Sequence, residues 1–266
     1  MFWRKSVRSV VVCAVLATLT AGFVRAEEQK ANEFQPEQDG PELSFALDLT
    51  YNGKYVWRGI NTVDGAVFQP SATVGYGGLS FNVWGNMDLD DVNGQSGDFT
   101  EYDLTLDYSW TWDPVDLSIG TIYYTFPHSG NAPSTIEVYA GATLDVPLSP
   151  GVTVYNDIHM ADGAYISLSA GHALEDLWTP VEGVSVSAAL DASVAYGTSN
   201  YNAFYYGEDS NAWTDALVSL SFPISLGEHF SVTPAVNYSS LLDSDIRSNL
   251  SDDDNLWGGL TLSCTF

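Results

Sequence analysis

The sequence predicts an all-β chain, a closed antiparallel transmembrane β-barrel of about twelve strands. Three observations carry that expectation. Apolar residues fall on every second position in segment after segment, the connections alternate between short and long, and aromatic residues gather where the segments end. Hydrocarbon offers no partner to a bare backbone N–H or C=O, so a sheet that crosses a bilayer has to close on itself.

Residues 1–26 read as a signal peptide. Arg4, Lys5 and Arg8 make a basic start, an apolar run covers 10–23, and Val24-Arg25-Ala26 fills a small-residue cleavage site. The run is shorter than the roughly 20 residues of a membrane-spanning helix, which argues against an anchor. Cleavage there leaves Lys30, Lys54, Arg58 and Arg247 as the only cations against 34 Asp and Glu. Cys13 leaves with the signal, and Cys264 then stands without an intramolecular disulfide partner. Residues 27–42, with Pro36, Gly40 and Pro41, read as a flexible periplasmic lead-in, and 43–266 as the barrel.

Period two begins at Leu43. Leu43, Phe45, Leu47, Leu49 and Tyr51 alternate with Ser44, Ala46, Asp48 and Thr50, and no stretch of about 18 apolar residues follows that could form a membrane helix. Tyr102, Leu104, Leu106 and Tyr108 alternate with Glu101, Asp103, Thr105 and Asp107 in the same way, and Val138 and Ala140 with Glu137 and Tyr139. The pattern predicts strands near 43–51, 66–76, 78–88, 100–110, 115–125, 134–145, 151–160, 163–172, 183–196, 212–222, 230–239 and 256–266. Each is close to the ~10 residues of a tilted membrane strand.

Tight turns at Gly77-Gly78, Asp113-Pro114, 147–151 and 226–228 alternate with long polar loops at 52–65, 89–99, 197–211 and 240–255. That is the stringing of an outer-membrane barrel, with short turns on the periplasmic side. Two connections fit less well: 159–163 is short for an outer loop, and 173–183 is long for an inner one. A secreted β-sandwich also alternates. The barrel is favoured by the terminal strand, where Leu260, Leu262, Cys264 and Phe266 share one face, and by Tyr51, Tyr76, Tyr108, Trp110, Trp112, Tyr123, Tyr124 and Trp213 at strand ends, where interfacial girdles belong. A terminal strand ending on Phe266 also suits recognition by barrel-insertion machinery.

Several function classes are excluded or weakened. A net charge of −26 with 8 Lys and Arg is unsuited to nucleic acid, whose binding depends on cations that neutralise phosphate. No H-E-x-x-H, paired-Cys metal set, Gly-rich phosphate loop or G-x-S-x-G occurs. A lipid hydrolase needs a Ser and an oriented His at the lipid face. Of His128, His159, His172 and His229, only His172 shares the apolar parity, with no outward Ser beside it. The chain is therefore expected to be no enzyme and to carry no cofactor or resident metal. Asp88-Leu89-Asp90-Asp91 and 251–255 could offer oxygen ligands to divalent cations, yet neither has the spacing of a Ca²⁺ loop, and solvated loop charge is the simpler reading.

The residues also resemble a family. Tyr55-Val56-Trp57-Arg58-Gly59-Ile60, Gln69-Pro70, 78–86, Gly120-Thr121-Ile122-Tyr123-Tyr124-Thr125-Phe126-Pro127 and Glu137-Val138-Tyr139-Ala140-Gly141 are similar to the opening and middle strands of the TorF-type porins, the Gcw_chp proteins. The resemblance spans roughly 43–172 and departs at Asn61-Thr62 and Pro70-Ser71. It implies an outer-membrane barrel and says little of a solute.

If the apolar parity faces outer-membrane lipid, then Asp48, Asp103, Asp107, Glu137, Asp157 and Asp191 project into the lumen, where no Lys or Arg is expected on a strand. These six are the candidate pore-lining residues, and the acids either set a cation preference or simply keep the wet face wet. Lys54 and Arg58 sit at the mouth of the first long loop, where Arg58 could form a constriction or tie the loop down by an ion pair. Passage of small hydrophilic solutes, with cations favoured, is the first functional expectation. The alternative is a structural or surface-interaction barrel with a plugged lumen and partner-binding acidic loops.

Overall fold

The computed structural model describes residues 42–128 and 132–266. The expected signal peptide and the lead-in up to residue 41 lie outside the described residues. Fifteen strands follow in order: β1 Leu43–Asn52, β2 Tyr55–Trp57, β3 Ile60–Val63, β4 Val67–Tyr76, β5 Leu79–Asp88, β6 Phe99–Trp112, β7 Val115–Thr125, β8 Thr135–Leu144, β9 Gly151–Asp157, β10 Gly163–Val181, β11 Val184–Gly197, β12 Ala212–Ser221, β13 Ile224–Leu226, β14 Phe230–Leu241 and β15 Asp254–Thr265. Short helices at Ser199–Tyr205 and Ser244–Asn249 stand in the last two long loops.

The strands close into one antiparallel ring. β1 pairs with β4 on one side and with β15 on the other, from Ala46↔Thr265 to Asn52↔Gly259, while β10 pairs with both β9 and β11. β13 lies between β11 and β14, as β12 does, so the two are one stave broken at Pro223. Proline has no N–H for the ladder there, and its carbonyl instead accepts from Ser187 N. Counting that stave once gives a twelve-strand barrel, with β2 and β3 as a separate hairpin inside the first long loop.

The alternation read from the sequence maps onto two environments. On β4 and β5, Ser71, Thr73, Ser80 and Asn82 are buried whereas Val74, Phe81 and Val83 are exposed. The Asn82 side chain donates to Ser71 Oγ and Thr73 Oγ1, both at 2.8 Å. Higher in the barrel, Asn52 donates to Gln69, Gln69 to Asn86, and Asn86 to Asp88 and Thr100, a polar chain across β1, β4, β5 and β6. Outside, Leu47, Leu106 and Leu262 expose nearly half their area, as residues do whose solvent is lipid. Tyr76, Tyr108, Trp110 and Trp112 stand exposed at the short-turn end, and Tyr51, Tyr123 and Trp213 at the long-loop end, which marks two interfacial belts. The chain is an outer-membrane type β-barrel.

Some boundaries differ from the sequence reading. Residues 173–181 are strand, not an inner loop: β10 runs on as a hairpin with β11, through irregular register after Leu174, and turns at Gly183 with φ +79°. The short outer connection at 158–162 is held by Asp157, whose Oδ1 accepts from His159 N and Met160 N. Tyr124 points inward and is buried, so it leaves the girdle in which the sequence placed it.

Leu106, at the middle of β6 on the outer face, provides a direct test of the lipid assignment. Leu106→Arg is expected to lower unfolding stability in lipid vesicles by about 2–4 kcal/mol. A change within about 0.5 kcal/mol, as on a water-exposed surface, would contradict it.

Candidate functional site

The site is built from the first long loop. Trp57 of β2 faces Ile60 of β3, so Arg58-Gly59 is a two-residue hairpin turn, and both residues have positive φ, +48° and +82°. Such a turn needs left-handed backbone at both central positions, which glycine adopts freely and arginine only at a cost. At Gly59 a Cβ would also collide with Leu241 and Asp215, at 2.7 and 2.8 Å. The tip of the hairpin is thereby pressed against the barrel wall, with Arg58 in its interior.

Arg58 is buried, and its guanidinium meets Glu137 of β8 side-on: Nη1 donates to Oε1 at 2.7 Å and Nη2 to Oε2 at 2.8 Å. Nη1 also donates to the Tyr201 hydroxyl, and Tyr124 donates to Glu137 Oε2 at 2.8 Å. The rings of Tyr165, Tyr155 and Trp57 lie 4.3, 4.5 and 4.6 Å from the guanidinium carbon. The backbone of Arg58 is held as well, because Tyr206 donates its hydroxyl to the carbonyl at 2.8 Å. A buried ion pair repays its desolvation only when geometry is good and the remaining polar atoms are satisfied. Bidentate pairing, two further hydroxyls and aromatic faces meet that condition.

The helix Ser199–Tyr205 delivers Tyr201 and Tyr205 from the opposite side. Asn202 ties it down by donating to the carbonyls of Gly197 and Ser210, and Gly163 leaves room for the backbone at Tyr201. Around this centre pack Leu241, Ile246, Ala161, Ala195 and Ala212, the largest buried apolar group among the described residues. Asp215 of β12 accepts from Tyr165 at 3.0 Å and Thr214 at 2.9 Å. Glu101 hydrogen-bonds Tyr55 of the hairpin and faces Asp103. Side chains from β6 to β10 and β12 thus converge on one loop residue in the long-loop half of the lumen.

The six carboxylates named from the sequence all take inward positions, but they do not form one cluster. Glu137 pairs with Arg58, and Asp103 lies beside it, facing Glu101. Asp107 accepts from Tyr139 at 2.6 Å, Asp48 from Ser263 at 2.6 Å, and Asp157 from Thr135 and Tyr205. Asp191 Oδ1 is buried with no hydrogen-bond partner among the described residues. Lys54 stays at the mouth, paired with Asp64 and donating to Asn255. Its hydrogen bond holds the exposed Asp64 carboxyl below the usual carboxylate range.

Sequence reasoning did not single out Glu101, Asp215, Tyr201, Tyr205 or Tyr206. Their one visible signal is the aromatic run 201–206 inside an otherwise polar loop, in a chain with almost no cation for so many phenols to meet. Of the acidic loops, Asp88 is buried and accepts from Asn86, Asn93 and Thr100, and Asp90 accepts from Ala66 N. His128, His159 and His229 each bring Nδ1 to a backbone carbonyl, of Phe99, Ser134 and Thr265. His172 is exposed on the outer face opposite Leu190.

No protein-family model matches the sequence, and no curated protein sequence matches it. Among solved structures the chain is similar to the NanC porin, at 10% identity and a TM-score of 0.47, over 82% of this chain and 98% of that one. It is similar to LpxR from Salmonella typhimurium, at 10% identity and a TM-score of 0.48, over 84% and 100%. It is likewise similar to the COG4313 outer membrane channel from Pseudomonas putida F1, at 10% and 0.41, over 88% and 100%.

Arg58→Ala removes one partner of a buried pair, and a loss of about 3–5 kcal/mol in unfolding stability is expected. Hydrogen exchange at the amides of 55–63 should accelerate in the same variant. Arg58→Lys keeps the charge but not the fork and should fall between the two. Unchanged exchange in Arg58→Ala would show that the hairpin is held by other contacts.

Proposed function

We propose that the barrel is an outer-membrane channel for small hydrophilic solutes, preferring cations and constricted by the Arg58 hairpin. The observation that carries this reading is the charge of the interior. Asp48, Asp103, Asp107, Glu137, Asp157 and Asp191 face inward from five strands, and no Lys or Arg stands on any barrel strand. In a narrow, low-dielectric passage that charge favours cations over anions. The short-turn half of the lumen is walled by small polar side chains such as Ser71, Thr73, Thr105 and Ser187, which suit hydrated solutes.

A second reading has its own support. Tyr165, Tyr201, Tyr206 and Glu137 are almost wholly buried around Arg58, as they would be in a structural barrel whose lumen is plugged and whose acidic loops meet a partner, including lipid phosphate through divalent cations. A third, hydrolysis at the lipid face, gains little from His172, since Ala170 and Leu174 flank it on the same face and Leu190 lies across from it.

Planar-bilayer recording of the refolded protein separates these. The channel reading expects small steps that reverse at a cation-selective potential, and larger ones in Arg58→Ala and in Glu137→Gln. Silence in the wild type and in both variants over a wide voltage range would overturn it in favour of the plugged barrel.

A further inference from the structure

One wall of the lumen, away from Arg58, holds a row of inward side chains in register. Asp191 on β11 lies opposite Ser219 on β12, Ser219 opposite Asn237 on β14, and Asn237 opposite Trp257 on β15. Asp191, Ser219 and Asn237 are 6%, 2% and 4% exposed. One inward step toward the long loops the next row brings Ser193, Leu217 and Ser239.

Asp191 differs from the other inward carboxylates in meeting no other side chain. Asp103 Oδ1 is also buried without a hydrogen bond, but Asp103 faces Glu101, and the rest named above meet hydrogen-bonding side chains; Asp191 Oδ1, Asn237 Oδ1 and Ser239 Oγ are buried without one. Among the described residues no guanidinium or ammonium is placed to neutralise it: Arg58 is committed to Glu137, Lys54 to Asp64 and Arg247 to Asp253 and Asp254. An unpaired carboxylate in such surroundings costs several kcal/mol and calls for a counter-charge.

The chemistry of the row defines the class of that counter-charge. Neighbouring strands lie about 4.8 Å apart, so Asp191 and Asn237 flank Ser219 at about 10 Å between backbones, close enough for their side chains to converge over it. One carboxylate, one amide oxygen and hydroxyls are hard donors with a single negative charge. Ca²⁺ sites gather several carboxylates, and transition metals prefer imidazole or thiolate. We propose that Asp191, Ser219, Asn237 and Ser239 form a binding site for a small alkali-metal cation within the barrel wall. The site goes beyond the channel reading and does not depend on it, since it is read by binding and not by current.

Sodium-23 NMR of the refolded protein in detergent tests it, with excess choline chloride present so that a bulky cation occupies the acidic loops. The wild type is expected to broaden the Na⁺ resonance, Asp191→Asn to abolish that broadening, Asn237→Leu to weaken it, and Asp209→Asn, at an exposed loop position, to leave it in place. Heat-modifiable gel mobility checks that each variant has closed its barrel. Equal broadening in the wild type and Asp191→Asn would overturn the proposal. So would an infrared band of a protonated carboxyl, present in the wild type at high Na⁺ and lost in Asp191→Asn, because the proton would then be the counter-charge. Should Asp191→Asn fail to close, Asn237→Leu decides alone, and broadening equal to the wild type in that variant would overturn the proposal.

Discussion

The inability of hydrocarbon to hydrogen-bond a peptide group governs this structure. Each N–H and C=O at membrane depth has to find its partner on the next strand, which forces the ring closed between β1 and β15 and between β10 and β11. Closure then fixes the rest. Every second side chain meets lipid, so Phe45, Leu106 and Leu262 stand outside where a water-soluble protein would hide them, and the polar parity is confined to a narrow lumen. Among the described residues the buried apolar clusters lie at the long-loop end, where the β2–β3 hairpin and the two short helices fold inward.

That confinement explains the ion pair. A lumen with so many carboxylates needs positive charge, and the strands supply none, so the loop brings it in. The hairpin accepts a left-handed arginine at its turn, which costs about 1–2 kcal/mol, and the bidentate contact with Glu137 offsets that cost while fixing the loop. The tyrosines do two jobs at once: their rings cover the faces of the guanidinium, and their hydroxyls satisfy Arg58, Glu137 and Asp215. Fold and proposed constriction therefore rest on the same contacts.

The strands were legible because period two is a property of single residues in order. Leu104, Leu106 and Tyr108 against Asp103, Thr105 and Asp107 state their faces without reference to any partner. The extension of β10 to Val181 was less so, since Leu177-Trp178 and the bulge at Asp176 break the alternation while the backbone stays paired. Less legible still was what fills the lumen. Which carboxylate Arg58 meets depends on how far a loop folds back, and Glu137 lies 79 positions away in sequence. Tyr201, Tyr205 and Tyr206 read as loop aromatics, and only the ring's diameter brings them to the guanidinium.

A closed lumen requires that alternate side chains of each strand touch lipid. Spin labels placed singly along β6 from 102 to 108, in vesicles, report collision with oxygen dissolved in the bilayer against collision with a water-soluble nickel chelate. Oxygen contact should peak at 102, 104, 106 and 108 and fall at 103, 105 and 107. Nickel contact as high at 104 and 106 as at an exposed loop position would contradict a lipid-facing barrel.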